Sequence, residues 1–175
     1  MAPAERAAAD AAQGDGLSAR RLGYSTEEKP LGGYLAATAV YILVLAGLIA
    51  VLQKRRAQPQ IGLGDFVLLA TASHKLSRTI SKEKVAAPLR APFTELEGPG
   101  APAELEERPR GTGVRRAIGE LLVCPYCLVQ WVATGFFAAF TFWPTVTRFV
   151  AQIFAAVTVA DFLHVVYRGS EEKLL

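Results

Sequence analysis

Charge is missing from two long stretches of this chain, Gly32 to Gln53 and Leu121 to Thr147. Each exceeds the about 20 consecutive apolar residues that a helix needs to cross a hydrocarbon core of about 30 Å, so each is a predicted transmembrane helix. The overall balance, 51% hydrophobic and 20% charged, would suit a soluble domain; the distribution argues against one. Cysteine is scarce as well, and two cysteines in 175 residues cannot build a disulfide framework. No internal repeat is found.

The first apolar run does not read as a cleaved signal peptide. A long polar segment precedes it, and Lys54, Arg55 and Arg56 follow where a small-residue cleavage site would stand, so it is expected to remain in the mature chain. Residues 1–30, rich in Ala, Gly and mixed charge, are expected to be a disordered tail because they cannot bury enough apolar surface to offset ordering entropy. A first transmembrane helix follows within residues 31–56, and a membrane domain occupies residues 60–168. Its helices are predicted over 61–80, 118–143 and 147–167, joined by a long polar, Pro-rich loop over 81–117 that is expected to be disordered in its middle. The string VAAPLRAPF in that loop is a candidate for the membrane surface. Residues 169–175 form a C-terminal tail. The fold class is therefore all-α, a transmembrane bundle of three to four helices, depending on whether the charge-flanked segment 61–80 crosses.

Orientation follows from Lys and Arg placement. With four spans, 15 of the 19 basic residues lie on the side of the tail, the long loop and the C-terminus, leaving Lys54, Arg55, Arg56 and Arg148 opposite. That side is expected to be cytoplasmic, giving a multi-pass, N-in and C-in protein of the bacterial inner (cytoplasmic) membrane. A three-span arrangement with the tail outside fits almost as well. The net charge of +3 and pI near 9.0 are read as orientation signals, and no nucleic-acid partner is expected.

Either topology brings the same residues to the cytoplasmic end: His74 at the close of the second segment, Cys124 and Cys127 at the start of the third, and Asp161 and His164 near the close of the fourth. These include every cysteine and histidine in the chain. As a dithiol, Cys124 and Cys127 form a CPYC string at a helix start, where a helix dipole favours thiolate; against this, no βαβ pattern surrounds it and its flanks are apolar. As a metal set, Cys124, Cys127, His74 and His164 would suit zinc, though from three separate helices rather than short loops. As packing, both cysteines are small residues on one helical face, and Pro125 fits a first turn. Asp161 is an ionisable group in an apolar helix and calls for a partner: His164 on its own face, or His74, Lys75 or Arg78 from the second segment. Lys75 and Arg78 are candidates for ion pairing or lipid headgroups.

The strings HKLSRTISKEKVAAPLRAPF, LLVCPYCLVQW and ADFLH together resemble the small bacterial membrane proteins grouped as domain of unknown function 1360, some of them named as sporulation proteins. The resemblance runs from about Gly62 to Tyr167. It implies a membrane location and a three-helix core, and it brings no reaction. Where members often place a glycine soon after the second cysteine, this chain has Leu128, Val129 and Gln130 before Trp131. The function expected is that of a non-enzymatic interaction or scaffold protein at the cytoplasmic face. Its expected partners are the lipid bilayer, including anionic lipids, and a membrane or cytoplasmic protein, and no cofactor is expected. The alternative is a membrane thiol-redox or metal-binding protein using the CPYC motif.

Overall fold

The computed structural model describes Gly23, residues 29–56 and residues 60–174; the tail expected over residues 1–30 falls almost wholly outside them. Among the described residues six α-helices carry most of the structure: α1 Leu31–Lys54, α2 Leu63–Lys82, α3 Ala87–Arg90, α4 Gly113–Val123, α5 Pro125–Phe142 and α6 Pro144–Leu174. Two strands, β1 Thr94–Pro99 and β2 Leu105–Pro109, form an antiparallel hairpin. The described residues divide into two compact units. A hairpin unit comprises the chain up to Gly47 with Ile80–Cys124, and a helix unit comprises Leu48–Thr79 with the chain from Pro125 onward.

Among the described residues three helices are long and apolar enough to cross a membrane: α1, α5 and residues Pro144–Glu171 of α6. The 24 residues of α1 extend about 36 Å at 1.5 Å per residue. Apolar side chains point outward all round it, Leu43 and Ile42 among them, a pattern that fits lipid better than water. The 20-residue α2 is not of this kind, because Asp65, His74, Lys75, Arg78 and Lys82 interrupt it.

In the helix unit, α2 lays a stripe of small and apolar residues against α5 and α6. Leu69 and Ala72 are buried with Phe136, Phe140 and Ala151, while Leu76, Val132 and Phe154 pack around them. Ser73 and Ser77, also buried, donate their hydroxyls back to the Leu69 and His74 carbonyls, so the close approach of the helices leaves neither hydroxyl unsatisfied.

Three boundaries correct the sequence expectation. The helix expected over 118–143 is two helices. Pro125 has no N–H to continue the ladder and disfavours helical geometry in the preceding residue, so Cys124 is extended at φ −104° and ψ 101°. The last helix runs to Leu174 rather than to 167, leaving no separate tail at 169–171; extending a formed helix costs little, and Glu and Lys are good helix formers. The loop expected over 81–117 holds a 3-10 turn at Lys84–Ala86, α3, the hairpin and the first residues of α4, so the described residues are mostly helical and the all-α class holds only approximately.

An isolated hairpin is marginal. This one is held because α4 packs on β2: a Cβ added to Gly119 would lie 2.5 Å from the Phe93 carbonyl oxygen and 3.1 Å from Pro109 Cβ, so only glycine permits that approach. The register runs from Thr94↔Pro109 to Pro99↔Leu105 with an irregularity between Leu96 and Gly98. The turn closes through Gly100 N–H donating to Glu104 O, and Ala103 sits at φ +69°.

Candidate functional site

Of the candidate residues on α2, Lys75 turns inward while His74 and Arg78 are exposed. Lys75 Nζ lies 2.8 Å from Asp161 Oδ2 on α6, with side chains 8% and 52% exposed. Asp161 is 17 residues into α6, about 26 Å from its start, and so near the far limit of a hydrocarbon core of about 30 Å. His164 is exposed one turn further on.

A second pair, missed in the sequence, ties the same two helices near their starts. Arg148 donates through Nε and Nη2 to Asp65 Oδ1 and Oδ2 at 2.7 and 2.8 Å, with its guanidinium carbon 4.9 Å from the centre of the Phe140 ring. Asp65 precedes Lys75 on α2 as Arg148 precedes Asp161 on α6, so the two helices run in the same direction. In the sequence either residue alone reads as a charge near a helix start, and only the packing of α2 along α6 joins them.

Cys124 is half-buried at the joint between α4 and α5, Cys127 is exposed in the first turn of α5, and both carry thiols. Among the described residues, no group of three or more His, Cys, Asp or Glu side chains is arranged to hold a metal ion.

The most buried charge belongs to a residue the sequence reading passed over. Arg90, at the end of α3, has a side chain 0% exposed. It donates through Nε and Nη2 to the two carboxylate oxygens of Glu107 at 3.0 and 2.7 Å, and through Nη1 to the carbonyls of Ile80 and Glu83 at 2.7 and 3.0 Å. The guanidinium thus serves carbonyls at the end of α2 and bridges them to β2, as a planar fork can and an ammonium cannot. Thr94 Oγ1 lies 2.7 Å from Glu107 Oε2 and 3.0 Å from Arg90 O, its single proton serving one of them. Burial pushes the Glu107 carboxyl up, but the hydrogen bonds from Arg90 and Thr94 and the charges of Arg90 and Lys82 outweigh it and hold the group below the usual glutamate range. The available signal was a lone arginine in an apolar string between Pro88 and Pro92, followed by an acidic segment that could supply a partner.

The backbone around Arg90 is tied down further. Pro92 O accepts from Arg115 Nη2 at 2.7 Å, Arg110 N–H donates to Phe93 O at 3.0 Å, and Lys82 pairs with Glu106 at 3.1 Å. Tyr34 of α1 donates to Glu120 of α4, which also pairs with Arg116.

A family model described as Protein of unknown function (DUF1360) matches residues 68–167, more than half of the chain. The chain belongs to this family. The matched DUF1360 region begins inside α2 and ends in α6, so it contains the Lys75–Asp161 and Arg90–Glu107 pairs and both cysteines, and leaves out α1. Sporulation protein YjcA of Bacillus subtilis (strain 168) is 41% identical over 70 residues, which are 38% of this chain and 59% of that protein. The chain thus spans less than two thirds of the length of this relative. No solved structure matches.

Proposed function

We propose that this DUF1360 protein is a non-enzymatic, multi-pass protein of the cytoplasmic membrane, whose hairpin unit is an interaction surface at the cytoplasmic face. One observation carries the reading: the segment from Lys84 to Arg90 is inverted. Arg90 is sealed inside while Val85 and Leu89, 77% and 66% exposed, point outward. A segment in water gains by the opposite arrangement, whereas outward apolar residues beside Lys82 and Lys84 suit the boundary of anionic headgroups and acyl chains or the apolar face of a partner. The kinship with a sporulation protein supports a role in that process without naming a reaction.

The orientation proposed is N-in and C-in with four spans. Although α2 is too charged to stand alone in lipid, its pairing with α6 at two levels ten residues apart, about 15 Å, supports its crossing beside α6. A cysteine placed at Arg56 in a variant lacking Cys124 and Cys127 should react with an impermeant reagent from outside. Reaction only after permeabilisation rejects this orientation.

The surface reading is tested with the full-length protein in phosphatidylcholine vesicles with and without phosphatidylglycerol, carrying an environment-sensitive fluorophore on a cysteine at Val85 or Leu89. The expected result is a blue shift at both positions relative to Glu97 on the hairpin, larger with the anionic lipid. Equal spectra at all three positions in both membranes, and in native membranes, overturn it.

One observation favours a second reading as a thiol protein: Cys124 is extended immediately before Pro125 and the first turn of α5, where unpaired helix N–H groups favour an anion. Thiol titration and zinc content of the purified protein separate the two. Zinc at one equivalent, or an activity lost in the Cys124→Ala, Cys127→Ala variant, would select the second reading.

A further inference from the structure

A groove of about 450 Å³ lies between α5 and α6, with Leu76 of α2 also in its lining, and falls in the range of about 300–1,000 Å³ of small-molecule sites. Val132, Gly135 and Ala139 line it from α5, Trp143 from the joint between α5 and α6, and Val146 and Val150 from α6. The hydroxyl of Thr147 in its wall donates to the Trp143 carbonyl at 2.8 Å, so apart from the Trp143 indole N–H the wall offers hydrocarbon to an occupant. Both helices are long and apolar enough to cross a membrane, which makes lipid rather than water the medium that meets the groove.

We propose that this groove holds one acyl chain of an anionic phospholipid whose phosphate is received by Arg55. Two features select this occupant over another helix or a neutral lipid. The first is length. From Val132 along α5 to Trp143, just past its end, the lining extends about 16 Å, close to half of a hydrocarbon core of about 30 Å, and it ends at a tryptophan, a residue that settles at headgroup level. That is the depth of one leaflet, whereas a docked helix would need contact over both.

The second is charge. The Trp143 ring at the groove mouth lies 6.0 Å from the Phe142 ring, and the Arg55 guanidinium carbon lies 5.5 Å from the centre of that Phe142 ring. A guanidinium resting on an aromatic face keeps its N–H groups at its edge, in the plane where a phosphate binds. Of the other cations at this end, Lys54, Arg56 and Arg148, Arg148 has its fork filled by Asp65. Among the described residues no ion pair joins Arg55 to a carboxylate, and its place over the Phe142 ring, beside Trp143, sets it apart from Lys54 and Arg56 as the cation nearest the groove mouth for an anion. The two features are independent: the wall selects a chain, and Arg55 selects the headgroup. The inference does not depend on what the hairpin unit binds.

The test uses full-length protein carrying Trp131→Phe, which leaves Trp143 as the sole tryptophan. It is reconstituted into phosphatidylcholine vesicles titrated with either phosphatidylglycerol or phosphatidylcholine brominated along the acyl chain. Bromine quenches Trp143 when a chain lies in the groove. Half-maximal quenching should need about fivefold less brominated phosphatidylglycerol than brominated phosphatidylcholine. Arg55→Gln should remove that preference and leave quenching by the neutral lipid unchanged. Gly135→Leu should weaken quenching by both lipids, since the new side chain enters the groove; a Cβ there meets nothing within 4 Å, so the helix packing is kept. Equal titrations by the two lipids, or a preference that survives Arg55→Gln, overturn the headgroup assignment. Quenching unaffected by Gly135→Leu overturns the acyl-chain site. So does cross-linking between two copies through Gly135→Cys in a variant lacking Cys124 and Cys127, because a second copy would then occupy the groove.

Discussion

In the hairpin unit the guanidinium of Arg90 is sealed inside while Val85 and Leu89 face outward. In the helix unit Leu69, Ala72 and Phe140 are sealed inside, and the charges meet at two levels, Asp65 with Arg148 and Lys75 with Asp161. The two arrangements use the same chemistry for different ends. The buried apolar cluster lies in the helix unit, and in the hairpin unit the hydrogen bonds of Arg90 to Glu107 and to the Ile80 and Glu83 carbonyls fix one geometry for α3, β2 and the end of α2. Lys75 and Asp161 add alignment to helices that an apolar core already holds. The contrast predicts that breaking the first pair costs far more than breaking the second.

The largest effect is expected from Glu107→Ala. It leaves the Arg90 charge buried without its carboxylate, a loss of about 3–5 kcal/mol for a buried pair. Hydrogen exchange of the β1 and β2 amides should rise to that of an unfolded segment while the α5 and α6 amides stay protected. Unchanged exchange in the hairpin would remove the Arg90 network from its central place. Replacing both partners, Arg90→Met with Glu107→Leu, should restore only part of the protection, because the Ile80 and Glu83 carbonyls lose their donor as well.

A smaller part of the same loss should appear on acidification. The Glu107 carboxyl is held below its ordinary value in the folded chain. Its contribution is therefore complete above the unfolded value of about 4.3 and falls away as pH drops through the lower folded value. Hairpin exchange, corrected for intrinsic rates, should accelerate below about pH 4 in the parent and show no such step in the Glu107→Gln variant.

Next in size is Gly119→Ala, whose added methyl meets the Phe93 carbonyl oxygen. Overpacking against backbone costs about 1–3 kcal/mol, read as a lower melting temperature in detergent and faster hairpin exchange. In the helix unit, a double-mutant cycle of Lys75→Ala with Asp161→Ala should give a coupling of about 1 kcal/mol, limited by the half-exposed carboxylate. The matching cycle with Arg78→Ala should be close to additive; equal coupling in both cycles would show that no particular cation holds Asp161. The smallest change is Ala103→Gly at φ +69°, expected to stabilise the hairpin turn by about 0.5 kcal/mol, since glycine adopts that conformation without strain.

The apolar helices were legible because a bilayer imposes length and an absence of charge on one continuous segment, and both are visible in residues 31–53 and 125–142. Lys75 was put forward as a partner of Asp161 because a charge in an apolar helix demands one. The hairpin was not legible. Its strands, TELEGP and LEERP, lack the alternation of apolar residues that marks a half-buried strand, and their order comes from Arg90, Gly119 and Thr94 outside or at the edge of those strings. The Asp65–Arg148 pair was hidden for a related reason, since either residue alone reads as a charge that reaches for the headgroups. Composition reports what each residue tolerates, whereas these contacts depend on which distant residue arrives beside it.

The spacing of the Arg90 contacts also bears on how the chain matures. Ile80, Glu83 and Glu107 lie 10, 7 and 17 residues from Arg90, whereas Asp65 must wait for Arg148, 83 residues later. Contacts this local close early, and domains form in order of synthesis. The network around Arg90 can therefore be complete while α5 and α6 are still being translated, so that the growing chain already carries a folded polar segment when its last two apolar helices emerge.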